Sequence, residues 1–99
     1  MALNYWHDYT LGEAIAAELE DHGETLADIQ HLVAADYQSK DDALAAVIQG
    51  GHSYQLPWFT AWTPKRVLFN GTYDSGTWVA SVPRHPCDEV VEPIGDGSY

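Results

Sequence analysis

The chain has 99 residues, 45% of them apolar and 12% aromatic, which is enough for one domain with a modest core and too few for two. Its net charge of −11 disfavours direct binding of nucleic acid, because an acidic surface repels phosphates. No apolar run is long enough to span a bilayer, no signal peptide is recognisable, and the single cysteine, Cys87, excludes an intrachain disulfide. The sequence therefore predicts a cytoplasmic protein without a membrane partner.

The acids are concentrated in the first part of the chain. Ten of the fifteen lie within residues 1–42, against one base, Lys40, and residues 43–73 contain none. Such a one-sided charge suits a partner with a basic surface, but it is also what a solvated face of a small acidic protein looks like. Both interpretations stay open at the level of sequence.

Three segments have the sequence of a helix start. Thr10–Glu13 matches a capping box, in which a hydroxyl and a carboxylate three residues later satisfy each other's backbone N–H groups. Thr25–Asp28 and Ser39–Asp42 are variants with aspartate. The caps predict three helices, over about residues 11–22, 26–37 and 40–49.

Apolar spacing supports each of these helices. Leu11, Ile15 and Leu19 recur at intervals of four in the first, and Gly23 is free to take the left-handed position that closes it. In the second helix the predicted apolar stripe consists of Leu26, Ile29, Val33 and Tyr37, and in the third of Leu44, Val47 and Ile48.

Alternation of apolar and polar residues over 58–84 predicts three antiparallel strands that form a meander. A turn at Thr63–Arg66 pairs Trp62 with Val67 and Thr60 with Phe69, which places Trp58 beside Gly71. A four-residue loop at Asp74–Thr77 pairs Tyr73 with Trp78, Gly71 with Ala80 and Phe69 with Val82, so that every member of these pairs is apolar or small. We expect this face to form the floor of the core.

Catalytic and metal-binding signatures are absent from the sequence. The five histidines show no HxxxH or HExxH spacing, and His85 and Cys87 form no metal or nucleophile motif. There is no GxGxxG, P-loop or GxSxG pattern. The first two helices resemble a helix-turn-helix, but residues 10–38 lack the bases that would hold phosphates. The sequence predicts neither an enzyme nor a cofactor.

The candidate contact residues are acids and aromatics of the N-terminal part. Acids on the surface of the first helix suit a basic partner, and aromatics beside charge often anchor protein interfaces. The aromatic segment before the first helix could equally close the edge of the core. The predicted partner-binding residues are Glu18, Glu20, Asp21, Glu24, Tyr5, Trp6 and Tyr9.

The strand block FTAWTPKRVLFNGTYDSGTWVASVPRHPCDE resembles a family of short, uncharacterised phage and prophage proteins. Leu68 stands where that family tends to have tyrosine, and Ser75 precedes Gly76 where it has Asp-Gly directly. The resemblance covers about a third of the chain and implies a viral accessory origin, with no known chemistry. The positions that carry it are Phe59, Thr60, Trp62, Thr63, Arg66, Val67, Phe69, Tyr73, Asp74, Trp78, Val79, Ser81, Val82, Pro83, Arg84 and Pro86.

Together these features predict a single α+β domain with three N-terminal helices packed on a three-stranded antiparallel meander. The helical half spans about 10–49, the meander about 58–84, and an acidic tail 87–99. The predicted function is that of a small acidic phage or prophage accessory protein that binds a host or phage protein, for example an anti-CRISPR-like inhibitor of a nucleic-acid-directed defence. The alternative is a virion or assembly component that works by self-association. The sequence leaves the oligomeric state open.

Overall fold

A computed structural model describes residues 7–49, 56–73 and 76–94 of the chain, the side chain of Tyr73 excepted. Within these ranges the fold contains two α-helices, one turn of 3-10 helix and six strands. In chain order the elements are β1 (Tyr9–Thr10), α1 (Leu11–Glu20), the 3-10 turn (Leu26–Asp28), β2 (His31–Ala34), α2 (Lys40–Leu44), β3 (Val47–Ile48), β4 (Phe59–Trp62), β5 (Arg66–Tyr73) and β6 (Gly76–Pro83).

The strands form two antiparallel sheets. β2, β4, β5 and β6 lie side by side in that order in the larger sheet, and β1 pairs with β3 in the smaller one. The α+β class is therefore right. The predicted architecture of three helices on a three-stranded meander is wrong, because one predicted helix is largely a strand and a second ends early.

Helix α1 follows the sequence prediction closely. Thr10 and Glu13 form the expected capping box, with both bonds 3.0 Å long. Leu11, Ile15 and Leu19 have no solvent exposure, because their stripe faces the core. Gly23 closes the helix with a φ of 75°, and the Glu24 N–H donates to Leu19 O.

The predicted second helix is wrong. Only its first turn, Leu26–Asp28, is helical, and residues 31–34 form the edge strand β2. The backbone N–H of Gln30 donates to Trp62 O and that of Ala35 to Trp58 O, so this segment pairs with backbone groups of β4 and the residue before it. Unpaired strand edges need partners, and this demand overrides the helical spacing of the apolar residues.

The predicted third helix is correct at its start and wrong at its end. Ser39 caps it, with its hydroxyl accepting from the Asp42 N–H, but α2 ends at Leu44. The following Val47–Ile48 pairs with Tyr9–Thr10 instead. The β-branched pair thus gains strand partners from the residues directly before α1.

The first predicted hairpin register is confirmed, since Trp62 lies opposite Val67 and Thr60 opposite Phe69. The second is wrong by two residues. Tyr73 pairs with Gly76, so that only two residues separate the paired ends, and Gly71 lies opposite Trp78. A shift of two residues keeps every side chain on the same face, which is why polarity could not distinguish the two registers.

The predicted inward face of the sheet is also wrong. The sheet residues that share the core with the apolar stripe of α1 are Leu32, Phe59, Ala61, Leu68 and Val79. The predicted floor, with Trp62, Phe69 and Trp78, is the opposite face. Arg66 can lie on the buried face because its guanidinium bonds Ser81 and Glu89, so polarity did not indicate which face is buried.

Candidate functional site

The face of the four-stranded sheet that points away from the core carries a continuous set of apolar and aromatic side chains, which we call the outer face. It lacks Asp, Glu, Lys and Arg, in a chain whose net charge is −11. Among the described residues it consists of His31, Val33, Trp58, Thr60, Trp62, Val67, Phe69, Gly71, Trp78, Ala80 and Val82.

Strand pairing sets these residues in rows across the sheet. His31, Trp62, Val67 and Val82 form one row, in which the rings of His31 and Trp62 lie 5.4 Å apart. Val33, Thr60, Phe69 and Ala80 form the next row. Directly opposite aromatic and β-branched side chains are the pairs that stabilise a sheet surface.

Part of the outer face is strongly exposed. Trp58 is 76% exposed and Val33 49% exposed, and together with Thr60 they line a shallow cleft of about 330 Å³. Most other members are half-buried by their neighbours. The predicted register places Trp58 beside Gly71, but the indole that lies over Gly71 is that of Trp78.

The described helices pack on the other face. There α1 lies against β6 and α2 against β2, with their apolar residues in the common core. No helix or strand in residues 7–49, 56–73 and 76–94 covers the outer face. Its exposed large apolar residues are Val33 and Trp58, beside half-buried aromatic residues, and exposed apolar surface of this kind is characteristic of interaction sites.

The inner face contains a polar network that is satisfied within the fold. Arg66 is 5% exposed; its guanidinium donates to the hydroxyl and carbonyl of Ser81 and bonds Glu89 Oε1 at 2.8 Å. The Ser81 hydroxyl donates in turn to Glu18 Oε2 at 2.6 Å, and the same carboxylate lies 3.3 Å from His22 Nε2. The network joins α1, β5, β6 and the segment that follows β6.

A second buried polar contact links the segment after α1 to the turn between β4 and β5. Glu24 is 5% exposed, and its carboxylate accepts a hydrogen bond of 2.6 Å from the Thr63 hydroxyl. Thr63 Oγ1 also accepts from the backbone N–H of Arg66. Sequence polarity alone suggested an exposed acid here.

The predicted contact residues that the structure describes lie in different environments. Glu18 and Glu24 are held in the two internal contacts above, whereas Glu20 and Asp21 are exposed where α1 ends. Tyr9 is buried in the core, paired with Ile48. Tyr5 and Trp6 lie outside the described residues.

The described residues contain neither a metal-binding cluster nor a membrane-spanning helix. In the described parts of the chain, no group of three or more His, Cys, Asp or Glu side chains could hold a metal ion. Cys87 is exposed. None of the helices described is long and apolar enough to cross a membrane. No family model, no curated protein and no solved structure matches the chain.

Sequence reasoning missed the outer face, because it took the aromatic residues for the floor of the core. Arg66, Asn70 and Ser81 share the opposite face with Leu68 and Val79, and polar residues at every second position are typical of a side that meets solvent. In the structure these polar groups bond partners within the fold, so that face is buried despite them. The sequence of β5 and β6 contains no signal that distinguishes the two cases.

Proposed function

We propose that this protein acts by binding another protein through the outer face of its four-stranded sheet. The observation that carries the proposal is an uncharged, aromatic surface without a covering element in the described structure. Tryptophan is the residue type most enriched among residues that dominate binding energy, and Trp58 is largely open to solvent. The proposal includes no enzymatic activity and no cofactor.

A partner with a basic surface fits the remainder of the molecule. Ten of the fifteen acids are exposed within the described residues, against three exposed bases, because Arg66 is buried. The described surface is therefore strongly acidic. Complementary charge would raise the rate at which such a partner meets the molecule, and contact with the outer face would follow.

The proposed setting is the cytoplasm of a host cell, and the partner is a host or phage protein. The phage-like strand block favours a viral accessory role. A specific form is an inhibitor of a nucleic-acid-directed defence, whose acidic surface, including Glu20 and Asp21, occupies the basic groove of the defence protein.

Self-association is the second candidate function, as in a virion or assembly component. It is favoured by one observation: the outer face lacks Asp, Glu, Lys and Arg. Two copies could therefore stack through it without placing like charges directly opposite each other, despite the overall charge of −11.

A matched pair of variants tests the proposal. Val33→Ser combined with Trp58→Ser removes the exposed part of the outer face, whereas Val47→Ser makes the same change at a 67% exposed valine of β3, in the other sheet. We expect capture of the partner from host lysate to weaken at least about tenfold in the double variant and to stay unchanged in the control.

Sedimentation of the purified proteins separates the two functions. A monomer that captures a foreign protein supports partner binding, and charge reversal at Glu20 and Asp21 should then reduce capture and its dependence on salt. A stable oligomer that dissociates in the double variant supports self-association. If the double variant at Val33 and Trp58 changes neither the capture of the partner nor the molecular mass in solution, the proposal is contradicted.

A further inference from the structure

The last strand of the larger sheet, β6, has one edge without a strand partner among the described residues, because it pairs only with β5. It is eight residues long, twice the length of β2 at the opposite edge. A long unpaired edge presents a row of backbone donors and acceptors to which another chain can add.

The pairing pattern shows which groups face this edge. The Thr63 N–H donates to Arg66 O, so the backbone N–H and C=O of Arg66 point towards β4. Because this direction alternates along a strand, the residue after Arg66 and every second residue that follows it in β5 point their backbone groups towards β6. The residues of β6 opposite them, including Trp78 and Ala80, therefore face β5. Thr77 and Val79 direct their backbone groups outwards, as does Ser81.

Most of these outward groups lack a described partner. The Ser81 carbonyl accepts from the guanidinium of Arg66, but the backbone groups of Thr77 and Val79 and the N–H of Ser81 form no hydrogen bond within the described ranges. The three residues are buried as whole residues, at 7–8% exposure, and their side chains belong to the inner face, so a partner strand reaches this edge only by entering the cleft beside it.

A cleft runs along the same edge. Its volume of about 470 Å³ falls in the range of ligand-binding clefts. The segment Glu89–Ile94 forms the far wall, tethered by the ion pair between Arg66 and Glu89. On the side of α1 the wall consists of Glu18 and His22. An added strand would lie between β6 and this tethered segment.

The two faces of an added strand would meet different chemistry. Its side chains alternate, so one set would continue the outer face beside Trp78 and Ala80. The other set would point towards the carboxylates of Glu18, Glu89 and Glu92. Glu18 and Glu89 already contact His22 and Arg66, and Glu92 adds a third carboxylate to the cleft. Apolar side chains suit the first environment and basic side chains the second.

We propose that the free edge of β6 binds an extended segment of a partner protein, in which basic and apolar residues alternate, by adding it as a fifth strand to the sheet. Main-chain hydrogen bonds would supply affinity and the alternating side chains specificity. This inference rests on the proposed protein-binding function but uses a different surface, so the two can fail separately.

The test uses a synthetic peptide of alternating Lys and Val, titrated into the full chain and followed by NMR. We expect the amides of Thr77, Val79 and Ser81 to shift and to exchange more slowly with solvent on binding. N-methylation of those peptide residues whose backbone N–H groups face β6 should weaken binding at least about tenfold, because it removes the hydrogen-bond donors. N-methylation of the peptide residues whose N–H groups face away from β6 should leave binding unchanged. A Glu–Val peptide should fail to bind.

Charge variants provide the second measurement. Glu92→Gln removes one carboxylate from the cleft, whereas Asp41→Asn removes one at the exposed start of α2. The first should weaken binding of the Lys–Val peptide about two- to fivefold, as a partly exposed charge pair would, and the second should leave it unchanged.

Three results would overturn the inference. One is the absence of binding, and another is equal binding of both N-methylated peptides, which would mean electrostatic attraction only. The third is a set of shifts confined to surfaces other than β6. If capture of the natural partner proved insensitive to Val33 and Trp58 while the peptide paired with β6, the outer-face proposal would fail and the edge inference would stand.

Discussion

The contact between Glu24 and Thr63 shows how much depends on one buried hydroxyl. It joins the end of α1 to the β4–β5 turn, two segments that are far apart in sequence. Because the carboxylate is almost fully buried, loss of its donor would leave a polar group without a partner in the interior.

Thr63→Val is therefore expected to lower the free energy of unfolding by about 2–3 kcal/mol, the range for a buried hydrogen bond to a charged group. Urea unfolding with an unchanged m-value would measure the loss. Thr63→Ser keeps the hydroxyl and should cost clearly less. Thr72→Val makes the same change at an exposed position of β5 and should stay within about 0.5 kcal/mol of the wild type. Equal losses in both valine variants would show that the bond to Glu24 contributes nothing.

At the scale of elements, the β5–β6 hairpin depends on a close approach between Gly71 and Trp78, which lie directly opposite each other. A Cβ added at Gly71 would come within 2.6 Å of the indole Cε2. The ring would have to move off the backbone it covers.

Gly71→Ala is accordingly expected to destabilise the protein by about 1–3 kcal/mol, the usual cost of overpacking. In a Trp78→Ala background the clash is gone. The same substitution should then be neutral or stabilise by about 0.5–1 kcal/mol, because alanine loses less backbone entropy in a strand than glycine. Thermal unfolding of the four proteins forms a double-mutant cycle. A coupling energy near zero would contradict the packing of the indole on Gly71.

The elements also show where sequence reasoning succeeds. α1 was predictable because its capping box and its apolar stripe are local and agree with each other. The β4–β5 register was predictable because the turn between Trp62 and Val67 fixes it.

The other elements depend on pairing between segments that are far apart in the sequence, which local patterns do not show. His31–Ala34 becomes a strand because β4 needs a neighbour, and Val47–Ile48 because Tyr9–Thr10 does. The outer face escaped prediction for a related reason. Arg66 satisfies its charge through Ser81 and Glu89, so polarity along β5 says nothing about which side meets solvent.

At the scale of the whole molecule, the acidity is a source of repulsion. Ten of the 15 acids are exposed within the described residues, against three of the four bases. Self-repulsion of like charges opposes the compact state and is screened by salt.

Raising NaCl from about 10 mM to about 150 mM, which shortens the screening length from about 30 to 8 Å, should therefore raise Tm by several degrees. Sodium sulfate serves as a comparison, because its stabilising exclusion from the surface keeps increasing at concentrations where screening has saturated. Replacing exposed Asp21 and Asp41 by Asn should reduce the NaCl effect. A Tm that falls with NaCl would mean that attractive ion pairs, such as that of Arg66 and Glu89, outweigh the repulsion.

The bond between Glu18 and Ser81 spans 63 positions of the chain, and it brings the first helix against the last strand. During synthesis, α1 emerges long before β6 exists, so its apolar stripe has no sheet to cover it until nearly the whole chain has been made. Contacts of such long sequence separation slow folding, because a large loop must close before they form. The newly synthesised chain consequently needs its last strand, β6, to bury its first helix, α1. A chain that stops before β6 would leave the apolar stripe of α1 exposed and prone to aggregation.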